Sequence, residues 1–176
     1  MFHVLVDLET MGVHSYAPIV SIGAVKFDPT NCEQTDDTFY SVVSLESSME
    51  FPECYAESQT ILWWLQQNEE ARQQLVDVRA VHLRDALTDF AVWYKGSTGL
   101  WGNGANFDPV ILANAYKVVG MVEPFNNSDV RCVRTALSLA GIHKRDGYVK
   151  HHALYDASAH LADLKQALHT IRGNHG

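Results

Sequence analysis

The pattern that most restricts the fold is a change in hydrophobic periodicity about one third of the way along the chain. Residues 2–8 (FHVLVDL), 19–27 (IVSIGAVKF) and 38–44 (TFYSVVS) are rich in Val, Ile, Phe and Tyr, and turn-forming residues separate them. This pattern is typical of three consecutive strands. From Glu57 onwards apolar residues recur at spacings of three and four, which predicts helices. We therefore expect an α/β fold with one mixed sheet flanked by helices.

The later elements follow from the same reasoning. Between Leu154 and Ile171 the apolar residues form one stripe, which predicts a C-terminal helix. A short strand is predicted at 99–101. The other predicted helices span residues 57–76, 83–95, 109–119 and 130–140.

Length and composition restrict the class of protein. A chain of 176 residues that is 47 % hydrophobic is long enough to form one domain over residues 1–176. No apolar run reaches the roughly 18 residues of a membrane helix, and the N-terminus lacks a secretory signal pattern. The three cysteines have neither disulfide nor zinc-site spacing, which indicates reduced thiols. We expect a soluble, cytoplasmic protein with no membrane partner.

The charge distribution bears on nucleic-acid binding. A net charge of −8 argues against a protein that coats long duplex nucleic acid. The segment 131–152 is basic instead, with five Lys and Arg residues against a single acid. This segment is either a solvated basic loop or a contact surface for a nucleic-acid backbone.

Two acids stand near the end of the first predicted strand. Because strand side chains alternate, Asp7 and Glu9 share one face with His3 and Leu5. Adjacent carboxylates in a poorly solvated place favour a bound cation, and hard ions such as Mg²⁺ or Mn²⁺ prefer oxygen ligands. The alternative is an acidic strand end that leads into a turn, which needs no metal.

Two further motifs place an acid near a predicted helix start. In WGNGANFDPVIL, residues 101–112, a Gly- and Asn-rich turn precedes Asp108. This residue could also be a simple helix N-cap, with Pro109 at the first helical position. In HHALYDA, residues 151–157, His151 stands five positions before Asp156. Each motif is weak alone, and only the ordered set is specific.

As an ordered set, the motifs resemble those of the DEDDh 3′–5′ exonucleases, the proofreading-type nucleases of the ribonuclease H-like fold. The family motif Asp-x-Glu-Thr/Ser resembles residues 7–10, and His-x-Ala-x-x-Asp-Ala resembles residues 151–157. The motif Asn-x-x-Phe-Asp is matched within residues 103–108, with Asn-Phe-Asp at its core. The resemblance covers residues 4 to about 170. It implies an antiparallel meander of three strands that parallel strands extend.

Residues 57–72 (ESQTILWWLQQNEEAR) look like the phage and prophage exonuclease VIII-like branch, which includes small mycobacterial exoribonucleases and phage exonuclease A. The Thr-x-x-Trp-Trp-x-x-Gln helix of that branch resembles residues 60–67. Neighbours on a helix diverge by about 100°, so one of Trp63 and Trp64 is expected in the core and the other partly exposed. An exposed tryptophan beside the site could stack on a base. The resemblance also implies nucleic-acid turnover in a phage or bacterial host.

The resemblance implies an enzyme that hydrolyses phosphodiester bonds from the 3′ end of single-stranded or 3′-overhang DNA or RNA. Two Mg²⁺ or Mn²⁺ ions would be held by four carboxylates, and a histidine would be the general base. The implied ligands are Asp7, Glu9, Asp108 and Asp156, and the implied base is His151. The alternative is a non-catalytic nucleic-acid-binding module on the same fold, which would lack one of these residues.

Other residues near the motifs have two interpretations. The family spacing selects His151 over His152 as the base, and His152, His160 and Asp163 are expected at the surface rather than in a second metal site. Arg134 and Lys150 either contact phosphates or are solvated. An apolar surface on the Trp-rich helix would allow a homodimer. The candidate substrate-binding residues are Thr10, Asn103, Asn106, Trp63, Gln67 and Arg134.

Overall fold

A mixed sheet forms the centre of the protein in a computed structural model that describes residues 1–142 and 151–173. In this described part, five strands pair in the order β3-β2-β1-β4-β5. The first three strands are antiparallel, and β4 and β5 run parallel to β1. The predicted mixed α/β sheet is therefore confirmed. The strands are β1 (Phe2–Thr10), β2 (Ile19–Phe27), β3 (Gln34–Val42), β4 (Ser97–Gly102) and β5 (Val130–Cys132).

Helices lie between β3 and β4, between β4 and β5, and after β5. Short 3₁₀ turns at Gln74–Val76 and Asn127–Asp129 complete the helical segments. Within the described ranges no helix is both long and apolar enough to cross a membrane. The α-helices are α1 (Leu45–Ser48), α2 (Ser58–Leu65), α3 (Glu69–Gln73), α4 (Leu83–Tyr94), α5 (Asp108–Val118), α6 (Val133–Leu139) and α7 (Ala153–Gly173).

Three of the predicted elements have wrong boundaries for identifiable reasons. The helix predicted at 57–76 is broken, because the Asn68 side chain accepts the Ala71 N–H at 2.8 Å and starts a separate helix. The helix predicted at 130–140 begins with β5, whose residues pair in parallel with the end of β4. A three-residue strand leaves too short a pattern to be told from a helical turn. The third strand also begins earlier than predicted, because Gln34 pairs with Phe27.

The two faces of the sheet bury separate cores. Val4, Val6 and Leu8 pack under α4 and α5, whereas Leu5 packs on the opposite face under α6 and α7. This arrangement confirms the alternation predicted for the first strand. The face that carries Asp7 and Glu9 is consequently the one that α7 covers.

Gly23 allows α7 to approach the sheet closely. It lies beside Asp7 in the β1–β2 register. A Cβ at this position would lie 2.1 Å from the carbonyl carbon of Ala153 and from the Leu154 nitrogen, so only glycine leaves room for the first turn of α7. The absence of a side chain at residue 23 thus determines how near the residues of α7 come to the end of β1.

We expect Gly23→Ala to lower the free energy of unfolding by about 1–3 kcal/mol, because the backbone of α7 must move to avoid the new methyl group. Urea unfolding followed by circular dichroism measures this change. The matched control is Gly173→Ala, since a Cβ at residue 173 meets no atom within 4 Å. Equal unfolding midpoints for the two variants would contradict the close approach.

Candidate active site

Three carboxylates meet at the end of β1. Oxygen atoms of Asp7, Glu9 and Asp156 all lie within 4.8 Å of one another. The first two extend from the central strand, and Asp156 extends from the first turn of α7. The cluster lines a cleft of about 350 Å³. Residues about 150 positions apart in the sequence thus meet in one site.

Asp108 is the fourth acid of the same cleft. It is the first residue of α5 and is buried, and its Oδ1 accepts the N–H of Leu8 at 3.2 Å. The N-cap alternative for Asp108 is wrong, because Phe107 holds the cap position and no side chain caps this helix. The Asp108 carboxylate is hydrogen-bonded to the backbone of β1 instead.

The acids of the cleft raise one another's pKa values. Burial, followed by the charges of the neighbouring carboxylates, raises the pKa of Glu9 to about 9. Burial and the charge of Asp7 raise the pKa of Asp108 to about 8. Ionising the whole cluster near neutral pH therefore requires a compensating positive charge. The donor set consists of carboxylate oxygens, which fits a hard divalent cation.

Two adjacent histidines precede α7, and the structure gives them different surroundings. The ring of His151 lines the cleft and meets Trp63 edge-on, with 4.5 Å between ring centroids. Burial lowers the pKa of His151, which the charge of Asp156 partly opposes. The ring of His152 is stacked between Tyr40 and Tyr155, at 4.4 and 4.3 Å, and is not among the described residues that line the cleft.

His160 lies in the site and not at the surface, so the surface position predicted for it is wrong. Its Nε2 lies 3.4 Å from Oδ1 of Asp7, and it lines the cleft. An imidazole that contacts one carboxylate oxygen can orient that carboxylate toward a cation. The available signal was its position one helical turn after Asp156, on the same face of α7. The surface expectation is also wrong for His152, which is partly buried between its tyrosines.

A larger groove of about 1000 Å³ adjoins the acidic cleft and shares Glu9 and Phe107 with it. Thr10 and Trp63 line this groove. Trp63 is 38 % exposed, whereas Trp64 is 1 % exposed and donates its indole N–H to the carbonyl of Thr10 at 3.0 Å. The structure thus distinguishes the two tryptophans, which the sequence could not.

The remaining substrate-binding candidates divide into two groups. Asn103 and Arg134 line the acidic cleft, and the buried Oδ1 of Asn103 has no hydrogen-bond partner among the described residues. Asn106 is exposed, and the Gln67 side-chain amide donates to the carbonyl of Trp63 at 2.9 Å. Neither residue is among the described residues that line the cleft or the groove. Lys150 lies outside the described residues, as do residues 143–149 of the predicted basic segment 131–152.

A comparison with known protein families matches residues 2–168 to the 3′–5′ exoribonuclease Rv2179c-like domain. The chain belongs to this family. Membership in the Rv2179c-like family confirms the predicted enzyme class, a 3′–5′ exonuclease of the DEDD type. A relative from Enterobacteria phage T4, described as an exodeoxyribonuclease, is 25 % identical over 215 residues, covering 98 % of this chain and 92 % of that protein.

Solved structures share the fold of this Rv2179c-like domain. E. coli exonuclease I in complex with a dT13 oligonucleotide superposes with a TM-score of 0.67 at 12 % identity, over 94 % of this chain. The chain spans only 40 % of the length of that exonuclease I chain. Exonuclease X in complex with 5′ overhanging duplex DNA gives a TM-score of 0.60 at 17 % identity, over 96 % of this chain and 92 % of that one.

The raised pKa values predict how stability depends on pH. Unfolded carboxyls titrate near pH 4, so between about pH 5 and 8 the folded, metal-free protein binds more protons than the unfolded chain, and its stability falls as pH rises. We expect the free energy of unfolding in EDTA to decrease by at least about 1 kcal/mol between pH 6 and 8. Urea unfolding at each pH measures the decrease.

A saturating divalent cation should remove most of this decrease, because it neutralises the cluster. Glu9→Gln should also flatten the profile in EDTA and stabilise the protein at pH 8, since the group with the pKa of about 9 is gone. A profile in Glu9→Gln as steep as that of the wild type would show that the pH dependence arises elsewhere.

Proposed function

We propose that this protein is a metal-dependent 3′–5′ exonuclease of the DEDDh type that removes nucleotides from the 3′ end of single-stranded or 3′-overhang nucleic acid. Residues 1–176 would form one such domain, and residues 60–67 favour the exonuclease VIII-like branch. The observation that carries the proposal is the meeting of Asp7, Glu9 and Asp156 within 4.8 Å. Asp108 and His151 line the same cleft.

The carboxylates are proposed to hold two Mg²⁺ or Mn²⁺ ions. When bound, such ions neutralise the scissile phosphate, lower the pKa of the attacking water and stabilise the leaving oxygen. Asp7, Glu9 and Asp156 supply the shared ligand cluster. Asp108 lines the same cleft and would add a fourth carboxylate.

His151 is proposed to accept the proton of the attacking water on a ring nitrogen that faces the cleft. Its lowered pKa keeps the imidazole neutral at pH 7, which is the form that can accept a proton. The edge-on contact with Trp63 restricts where the ring can lie. His152 is held between two tyrosine rings and is not available for this role.

The adjoining groove is proposed to hold the last nucleotides of the strand. Trp63 offers a ring for base stacking, and Thr10 offers polar contacts at the junction with the cleft. Asn103 and Arg134 line the acidic cleft, where an amide and a guanidinium can bind phosphate or sugar oxygens. The similarity to exonuclease I with an oligonucleotide and to exonuclease X with overhanging DNA supports a free strand end as the substrate.

Matched DNA and RNA oligonucleotides, labelled at the 5′ end and incubated with Mg²⁺ or Mn²⁺, test the activity directly. We expect a ladder that shortens from the 3′ end and no reaction in EDTA. Asp7→Asn and Asp156→Asn should each lower the rate at least about 100-fold, because each removes a metal ligand. The exposed Asp89→Asn on α4 is the control. Wild-type rates in both ligand variants would refute the metal site.

The base assignment requires separate variants. His151→Ala should lower kcat by about 10²- to 10⁴-fold, the usual contribution of a positioned base, while Mn²⁺ binding by calorimetry stays unchanged. His152→Ala should cost far less activity, and the exposed His169→Ala serves as a neutral histidine control. A larger loss in His152→Ala than in His151→Ala would transfer the role of base to His152.

A further inference from the structure

His151 has a backbone conformation that needs support. Its φ angle is +50°, in the left-handed region that residues with a side chain seldom adopt. Such a conformation persists only where the surrounding contacts hold it. The direction in which the imidazole leaves the chain depends on this angle, so whatever holds the backbone of His151 also aims its ring at the cleft.

Gln74 provides that contact from a distant part of the chain. Its Nε2 donates to the carbonyl oxygen of His151 at 2.6 Å and also lies 3.4 Å from the carbonyl oxygen of Ala71. Gln74 is buried in the 3₁₀ turn after α3, so water cannot readily replace the bond. The amide lies 77 positions from His151 and links the two segments across the end of the sheet.

The other end of the Gln74 amide is also fixed. Its Oε1 accepts the hydroxyl of Ser21 at 3.0 Å and the hydroxyl of Tyr40 at 3.3 Å. Because carbonyl oxygens cannot donate, only one orientation of the amide suits both sets of partners. Tyr40 in turn stacks on His152, the neighbour of His151. Strands β2 and β3 therefore orient the amide that holds His151.

We propose that Gln74 is a positioning residue for His151. By holding the His151 carbonyl, it keeps the left-handed backbone that directs the imidazole into the acidic cleft. Gln74 is not among the described residues that line the cleft, so it acts through the histidine alone. The inference rests on the proposed role of His151 as the base, and it adds the residue that makes this role geometrically possible.

The test replaces Gln74 with methionine, which has a similar length and no amide. We expect Gln74→Met to lower kcat about 10- to 100-fold, as small displacements of a catalytic group do. The KM for the oligonucleotide and the affinity for Mn²⁺ by calorimetry should change less than threefold. The matched control is Gln73→Met, an exposed glutamine at the preceding position, which should keep wild-type kcat.

A double-mutant cycle separates positioning from general destabilisation. In a His151→Ala background, Gln74→Met should change the residual kcat less than twofold, because the group it positions is absent. An equal loss in both backgrounds would overturn the proposal, since Gln74 would then act independently of the histidine.

A crystal structure of Gln74→Met tests the positioning role of Gln74 without an activity assay. We expect the His151 backbone to leave the left-handed region and its ring to leave the cleft. A φ angle that stays near +50°, with the ring in place, would overturn the positioning role. If His151→Ala is fully active, the proposed base fails, but this structural comparison still reports whether Gln74 holds His151.

Discussion

The site depends on one unfavourable interaction, the crowding of buried carboxylates at the end of the central strand. Like charges in a poorly solvated place destabilise the folded state, and the raised pKa values of Glu9 and Asp108 express that cost. The alternation of side chains along β1 places Asp7 and Glu9 on the same face of the sheet. The close approach of α7 to Gly23 brings Asp156 beside them. The cores on both faces of the sheet must supply the stability that holds these charges together.

This constraint explains why an acidic protein can belong to a nuclease family. With a net charge of −8, the chain as a whole repels a phosphate backbone. A cleft of carboxylates would repel it more strongly, unless bound cations reverse the local charge. In the proposed mechanism the positive charge is therefore concentrated where the phosphate reacts, and extended basic surfaces are less necessary.

Sequence reasoning found the parts of the fold and site that depend on local order. Alternation in β1 predicted which face carries Asp7 and Glu9, and the ordered motifs predicted the acids that share one cleft. It misplaced His160 because helical spacing shows which residues share a face but not what covers that face. It missed Gln74 because nothing near residue 74 indicates a partner 77 positions away. The break before α3 was missed because a capping asparagine can also stand inside a helix.

The adjacent histidines show how packing gives two identical side chains different surroundings. Both rings belong to one segment before α7, and either could reach toward the acids in an extended chain. The two tyrosines enclose the ring of His152, which fixes that residue to the edge of the sheet. The His151 carbonyl accepts a hydrogen bond from Gln74, and the His151 backbone has a left-handed φ angle of +50°. The ring of His151 lines the acidic cleft and meets Trp63 edge-on. Of the two adjacent histidines, the one held by aromatic stacking is thus kept apart from the carboxylates, and the one held through its backbone lies beside them.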